Sequence, residues 1–253
     1  MAENTASGWK AGVMAWLPGI LIVLAIRTFI FEPFRIPSGS MYPTLLIGDH
    51  VIVNKSAYGV YVPATLVEIP FLEMQWVYPR FRLFHVSDPK RGDIIVFRYP
   101  GDEHQTYIKR VVGLPGDHIK VRNGQVFLNG APQEQEYRGH YVYQDQTCED
   151  VTTRLYTEHL EGQDHDVLAS MFGGSLRNVP GEIVVPPEHV FVMGDNRDSS
   201  LDSRAWGFVA DDQIKGRAHT VWFSLNHCTM TPRADRLMDK LYGVQAEPVA
   251  VAP

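Results

Sequence analysis

Cysteine is scarce in this 253-residue chain: there are two, Cys148 and Cys228, too far apart to match any zinc-binding spacing. Whether they pair or stay as two buried thiols is open in the sequence, because pairing depends on how closely their Cα atoms approach. A surplus of positive charge is also missing. The net charge of −6 and pI of about 5.9 exclude the broad basic face that nucleic-acid binding needs. Acidic residues are scattered rather than gathered in blocks, so no acidic disordered tail is implied. Neither an internal repeat nor a βαβ rhythm is visible. The ten histidines stay out of the densest polar segments, and His159 and His165 are spaced wrongly for an HExxH zinc pair. No metal and no cofactor is expected.

What the chain does have begins with one long apolar run. Residues 11–31 are mostly Ala, Gly, Val, Leu, Ile and Phe, interrupted by Pro18, Arg27 and Thr28. About 20 such residues cross a hydrocarbon core of roughly 30 Å as a helix. Glu32-Pro33 is a credible stop, since the residue before proline is pushed out of helical geometry. Arg27 near that end suits the headgroups, and Trp9 and Trp16 suit the opposite interface. No Ala-x-Ala cut site follows, so an uncleaved transmembrane anchor is expected, with residues 1–10 as a tail. Flanking charge does not set its orientation, because Lys10 faces Arg27 and Arg35.

Beyond the anchor, short β-branched runs bounded by Gly, Pro and Asp predict strands near residues 50–55, 92–97, 108–112, 182–185, 190–193 and 218–224. Asn123-Gly124 between two such runs predicts a tight hairpin. The fold class is therefore mainly β: an antiparallel sheet domain over residues 32–131 and 181–231. Residues 132–180, rich in Gln, Glu, Asp, His and Gly with weak periodicity, read as a smaller inserted β subdomain. Thr231-Pro232 predicts a helix over residues 233–242, followed by a frayed tail to residue 253. Residues 63–84, apolar and aromatic, suit either a ribbon packed on the domain or a surface entering the membrane.

Three dense segments hold the chemistry. Ser40 lies in Ile36-Pro37-Ser38-Gly39-Ser40-Met41, a few residues past the apolar run. A serine hydroxyl is a poor nucleophile until something takes its proton, and no histidine is at hand in these segments. Lys109, in Tyr107-Ile108-Lys109-Arg110-Val111-Val112-Gly113, alternates with apolar neighbours on a predicted strand. Burial there would disfavour its ammonium form, which arginine cannot relinquish, so Lys109 is the candidate base. The third segment, Gly194 to Arg204, crowds Asp195, Asn196, Arg197, Asp198, Ser200, Asp202 and Arg204 together. Taken singly, each has an ordinary reading: a turn, a snorkelling lysine, a self-capped loop.

Their order changes that. Phe31-Glu32-Pro33-Phe34-Arg35-Ile36-Pro37-Ser38-Gly39-Ser40-Met41-Tyr42-Pro43-Thr44-Leu45, then Arg91-Gly92-Asp93-Ile94-Ile95-Val96-Phe97, then Tyr107 to Asp117, then Gly194 to Arg204, closely resembles the bacterial type I signal peptidases. The resemblance implies a membrane-bound serine endopeptidase that removes signal peptides from exported preproteins after small residues, with the N-terminus in the cytoplasm and the β domain outside the inner membrane. Exported preproteins and membrane lipid are the implied partners. By the motif match Ser40 is the nucleophile and Lys109 the base. Ser38 donates in the oxyanion hole with the Ser40 N–H, and Ser200 orients the lysine. Asp202, Arg204 and Arg110 form a supporting ion-pair network. Phe34, Ile36, Leu45, Tyr107 and Ile108 line shallow pockets for small side chains.

Overall fold

The computed structural model describes residues 5–62, 81–243 and 245–249. A helix α1, Thr5–Phe29, leads directly into the body, with Pro18 inside it. The side chains of residues 5–13, 24 and 28 lie outside the described set. Among the described residues no helix is long and apolar enough to cross a membrane. Met14, Trp16, Leu17, Ile20, Leu21, Ile22, Val23 and Ile26 all lie exposed along α1.

The body is antiparallel β. Strands β1 (Phe31–Arg35), β2 (Asp49–Asn54), β3 (Gly59–Val62), β4 (Phe81–His85), β5 (Ile94–Tyr99) and β6 (Asp102–Gly113) follow in chain order. An eight-stranded sheet runs β1, β2, Ile214–Ser224, β5, β6, His189–Met193 and Val209–Ala210, with Asp239–Lys240 added beside Ile214–Ser224. β2 alternates buried and half-buried positions, as expected of a strand with one face on the core. Val51, Val53, Ile94, Val96, Ile108, Ala218 and Val221 pack as one cluster; Ile95, Phe97, Val111, Val190 and Val192 form a second. Among the described residues β3 and β4 pair with each other alone. Of the apolar stretch at residues 63–84, residues 63–80 lie outside the described set.

A smaller sheet of four strands holds His118–Arg122 and Gln125–Leu128. Asn123 and Gly124 join these two, both at positive φ (52° and 82°), which the twist of a two-residue hairpin requires. Within residues 132–180 the chain forms a three-stranded antiparallel sheet, Gln135–Gln144, Asp150–Leu160 and Gln163–Ser170. Cys148, in the turn after its first strand, is disulfide-bonded to Cys228, with Cα atoms 5.7 Å apart.

The helix expected over residues 233–242 does not form. A short 3-10 turn, Ala234–Arg236, precedes the strand pair Asp239–Lys240 instead. Tertiary partners override the capping signal: Arg233 donates to the Ile47 carbonyl, and Arg236 to Asp49 and the Thr44 carbonyl. Thr220 and Val221 take up Lys240 and Asp239. The tail is also less free than expected, since Gln245 and Ala246 donate backbone N–H groups to Asp166, and Val249 to the His140 carbonyl.

Candidate active site

β1 ends where Ile36 exchanges backbone hydrogen bonds with Asp49 and Gly48. Ser38 continues extended (φ −133°, ψ 155°) into a single 3-10 turn, Gly39–Met41, that projects Ser40. A Cβ on Gly39 would lie 2.5 Å from the Tyr42 ring, so the turn closes this tightly only with glycine. β6 brings Lys109 from the other side, opposite Ile95 of β5.

The two meet. Lys109 Nζ donates to Ser40 Oγ at 2.7 Å and to the Ile108 carbonyl at 2.8 Å, and these are its hydrogen-bond partners among the described residues. Ser40 is half-buried, whereas Lys109 is 4% exposed. Loss of water around the amine brings its pKa from 10.5 down to about 8. The charges of Asp202 and Asp195 pull the value back up and Arg204 pushes it down, but burial outweighs them. A buried amine whose close partners are a hydroxyl and a carbonyl is suited to hold and pass a proton.

Ser38 Oγ lies 3.5 Å from Ser40 Oγ, at the entry to the turn that carries it. Ser200 is buried, and its hydroxyl donates to Asp202 Oδ2 at 2.7 Å rather than to the lysine. Asp202, fully buried, also accepts from the Gly194 N–H and, through both oxygens, from Arg204. These donors hold its carboxyl below the usual range against the cost of burial. Arg110 does not join this pair. It grips Asp195 at 2.7–2.8 Å, with Thr44 donating to the same carboxylate at 2.5 Å.

Phe34, Ile36, Leu45 and Ile108 come together in one cluster with Met41, the last residue of the Gly39–Met41 turn. Tyr107 does not join them: it stacks on Tyr99 and packs with Phe97, while its ring centroid lies 5.6 Å from Lys109 Nζ. Sequence reasoning gave no role to Gly194 or Asn196, although both lie inside the third dense segment. A Cβ on Gly194 would fall 2.2 Å from Ser200 Oγ and 2.5 Å from the Ser40 carbonyl oxygen, so this close approach to Ser40 needs a glycine. Cys148, His227 and Cys228 bring potential ligand atoms within 4.8 Å of one another, but the two sulfurs are joined to each other and offer no thiolates.

A serine hydroxyl within hydrogen-bond reach of a buried amine, on an antiparallel sheet, is the arrangement of a serine hydrolase. Residues 9–223 match the family model for signal peptidase, peptidase S26. Over 222 residues the chain is 40% identical to signal peptidase I of Pseudomonas fluorescens, covering 83% of this chain and 71% of that one. Signal peptidase I of Aquifex aeolicus is 34% identical, with 84% of each chain covered. A solved signal peptidase I from Enterococcus faecalis V583 overlaps at 27% identity and a TM-score of 0.34, covering 52% of this chain and 97% of that one. The chain belongs to the S26 signal peptidase family and is a type I signal peptidase, a serine peptidase.

Proposed function

We propose that the chain is a membrane-tethered endopeptidase that cuts signal peptides from exported preproteins after small residues, using Ser40 and Lys109 as a dyad. The observation that carries the reading is the 2.7 Å contact between Lys109 Nζ and Ser40 Oγ around an amine shielded from water. In its neutral form Lys109 takes the Ser40 proton as Oγ attacks the scissile carbonyl. Ser38 Oγ–H and the Ser40 N–H donate to the oxyanion, each such donor being worth about 3–4 kcal/mol at the transition state. The ammonium then protonates the leaving amine, and the acyl-enzyme forms. A water molecule, deprotonated by the same lysine, hydrolyses the ester and restores Ser40. Every proton is assigned to Lys109, and the scheme calls on no cofactor.

Ser200, Asp202 and Arg204 support the lysine by fixing the charge beside it, with Ser200 acting through Asp202. Phe34 and Tyr107, both half-buried, suit the rims of the substrate pockets, and Ile36, Leu45 and Ile108 suit their floors. Pockets floored this way admit alanine and exclude bulky side chains, which is an Ala-x-Ala preference. Residues 32–131 and 181–231 make up the catalytic module in this reading, with 132–180 inserted.

The exposed apolar side chains along α1, at successive positions and thus on every side, support immersion in lipid as a single span. Phe31, exposed, opens the edge strand that continues from the helix. The N-terminus is placed in the cytoplasm and the β domain on the outer face of the inner membrane.

The test uses the full chain in detergent micelles with a preprotein carrying alanine one and three residues before the cut. Ser40→Ala should reduce cleavage to background while the protein still sediments with membranes. Undiminished cleavage would remove Ser40 from its role, and preprotein binding unaltered in cells that process nothing would favour a tethered binding module instead.

A further inference from the structure

The planar peptide unit that presents the Ser40 N–H also carries the Gly39 carbonyl, so whatever grips that oxygen aims the N–H. Asn196 grips it. Its Nδ2 donates to the Gly39 carbonyl at 3.1 Å and to Tyr143 Oη at 3.1 Å. Its backbone N–H donates to the Ser40 carbonyl at 3.1 Å, which fixes the next peptide unit too. One residue therefore holds both peptide planes that flank the Ser40 Cα. Asn196 is 1% exposed, and only its amide nitrogen can face a carbonyl oxygen, which sets the orientation of its side chain.

Tyr143 reaches the same place from Gln135–Gln144, the first strand of the three-stranded sheet. Its ring stacks on Tyr42 with centroids 4.4 Å apart, and Tyr42 Oη donates to the Gln144 carbonyl at 3.1 Å. Tyr42 directly follows the nucleophile's turn and donates its N–H to the Gly39 carbonyl as well. The sheet thus meets the turn through a side-chain hydrogen bond, a ring stack and a backbone acceptor.

We propose that Asn196 and Tyr143 are positioning residues for the cleavage reaction, through which the sheet of residues 135–170 keeps the Ser40 N–H facing the developing oxyanion. This rests on the reading of Ser40 as nucleophile and of its own N–H as an oxyanion donor. A donor on the Gly39 oxygen also polarises that amide, so the N–H opposite becomes a stronger donor. Lys109 has other partners, Ser40 Oγ and the Ile108 carbonyl, so the effect is separate from the proton transfer.

The test compares Asn196→Leu, Tyr143→Phe and Ser40→Ala as full-length proteins in detergent, measuring kcat, KM and the pH–rate profile on one preprotein. Asn196→Leu keeps the side-chain size and adds no charge. Its kcat should fall about 10- to 100-fold, the range for a misaimed oxyanion donor. KM should stay within about twofold, and the acid limb should not move. Tyr143→Phe keeps the ring stack and should lose kcat several-fold in the same pattern. If Asn196→Leu lacks a cooperative melt, Tyr143→Phe decides alone. Wild-type kcat in Tyr143→Phe, a rise in KM with kcat intact, or a displaced acid limb in either variant would overturn the assignment. Cleavage by Ser40→Ala would instead remove the nucleophile reading beneath it.

Discussion

Ser200 gives its hydroxyl hydrogen to Asp202, at 2.7 Å, and not to Lys109. Asp202 is saturated by that bond, by the Gly194 N–H and by the two-point grip of Arg204. The Asp202 charge still favours the ammonium form of Lys109, Arg204 works against it, and burial outweighs both. Among the described residues Lys109 has a hydroxyl and a carbonyl as its hydrogen-bond partners, and burial decides its charge.

Activity should follow that charge. With the Lys109 pKa lowered to about 8, cleavage by the free enzyme is expected to climb through that pH and level off above it, the protonated form being inactive. The sign of the stability effect follows too. The folded protein binds this proton less tightly than the unfolded chain, so the buried lysine destabilises fully below about 8, and the penalty fades as pH rises towards 10.5. Lys109→Met, inactive, should be more stable than wild type at neutral pH by ~3 kcal/mol. Melts of both proteins across that window check it: a gap that did not narrow with rising pH would mean the amine is not neutralised on folding.

Arg204→Met strands a buried carboxylate and should cost about 3–5 kcal/mol in urea unfolding. Because Arg204 lowers the Lys109 pKa and Asp202 raises it, the acid limb of any remaining activity should move to higher pH. An unmoved limb would show that the lysine does not feel the pair.

Gly194→Ala tests close approach rather than charge. Its new methyl would fall 2.5 Å from the Ser40 carbonyl oxygen, a backbone atom that cannot swing aside. Relief of the clash should cost about 1–3 kcal/mol. The displaced nucleophile should lose about 100-fold in kcat. Activity near wild type in single-turnover assays would contradict the tight packing of these segments.

The disulfide spans 80 residues of sequence and joins the turn of the three-stranded sheet to the loop after Ser224. Replacing both cysteines by serine should lower stability by about 2–4 kcal/mol. Urea curves with and without dithiothreitol should differ for the wild type by the same amount and coincide for the double variant.

Short β-branched runs bounded by Gly, Pro and Asp made the strands around Val51, Ile95 and Lys109 legible, and the Asn123-Gly124 pair made its hairpin legible. The meeting of Ser40 with Lys109 followed from motif order. Local signals failed where long-range partners outbid them. Thr231-Pro232 starts a helix in isolation, yet Arg233 and Arg236 are claimed by Ile47, Thr44 and Asp49. The family resemblance puts Arg110 with Asp202 and Arg204, whereas the fold sends it to Asp195. The disulfide depended on a Cα separation that no spacing encodes. Asn196 escaped notice because its part lies in which carbonyls it reaches, and its neighbours in the same segment carry the louder charges.

A single residue, Ile30, lies between the helix end at Phe29 and the first ladder residue, Phe31. From Phe31 to Ser40 is a run of ten residues, at most about 30 Å end to end when stretched. Its first five are pinned rung by rung to β2. In the proposed tethered enzyme this makes a stiff gauge rather than a leash: Ser40 would work at one fixed height above the point where the helix stops. On that proposal, peptides whose cut point emerges higher or lower would have to bend to be trimmed, whatever their side chains.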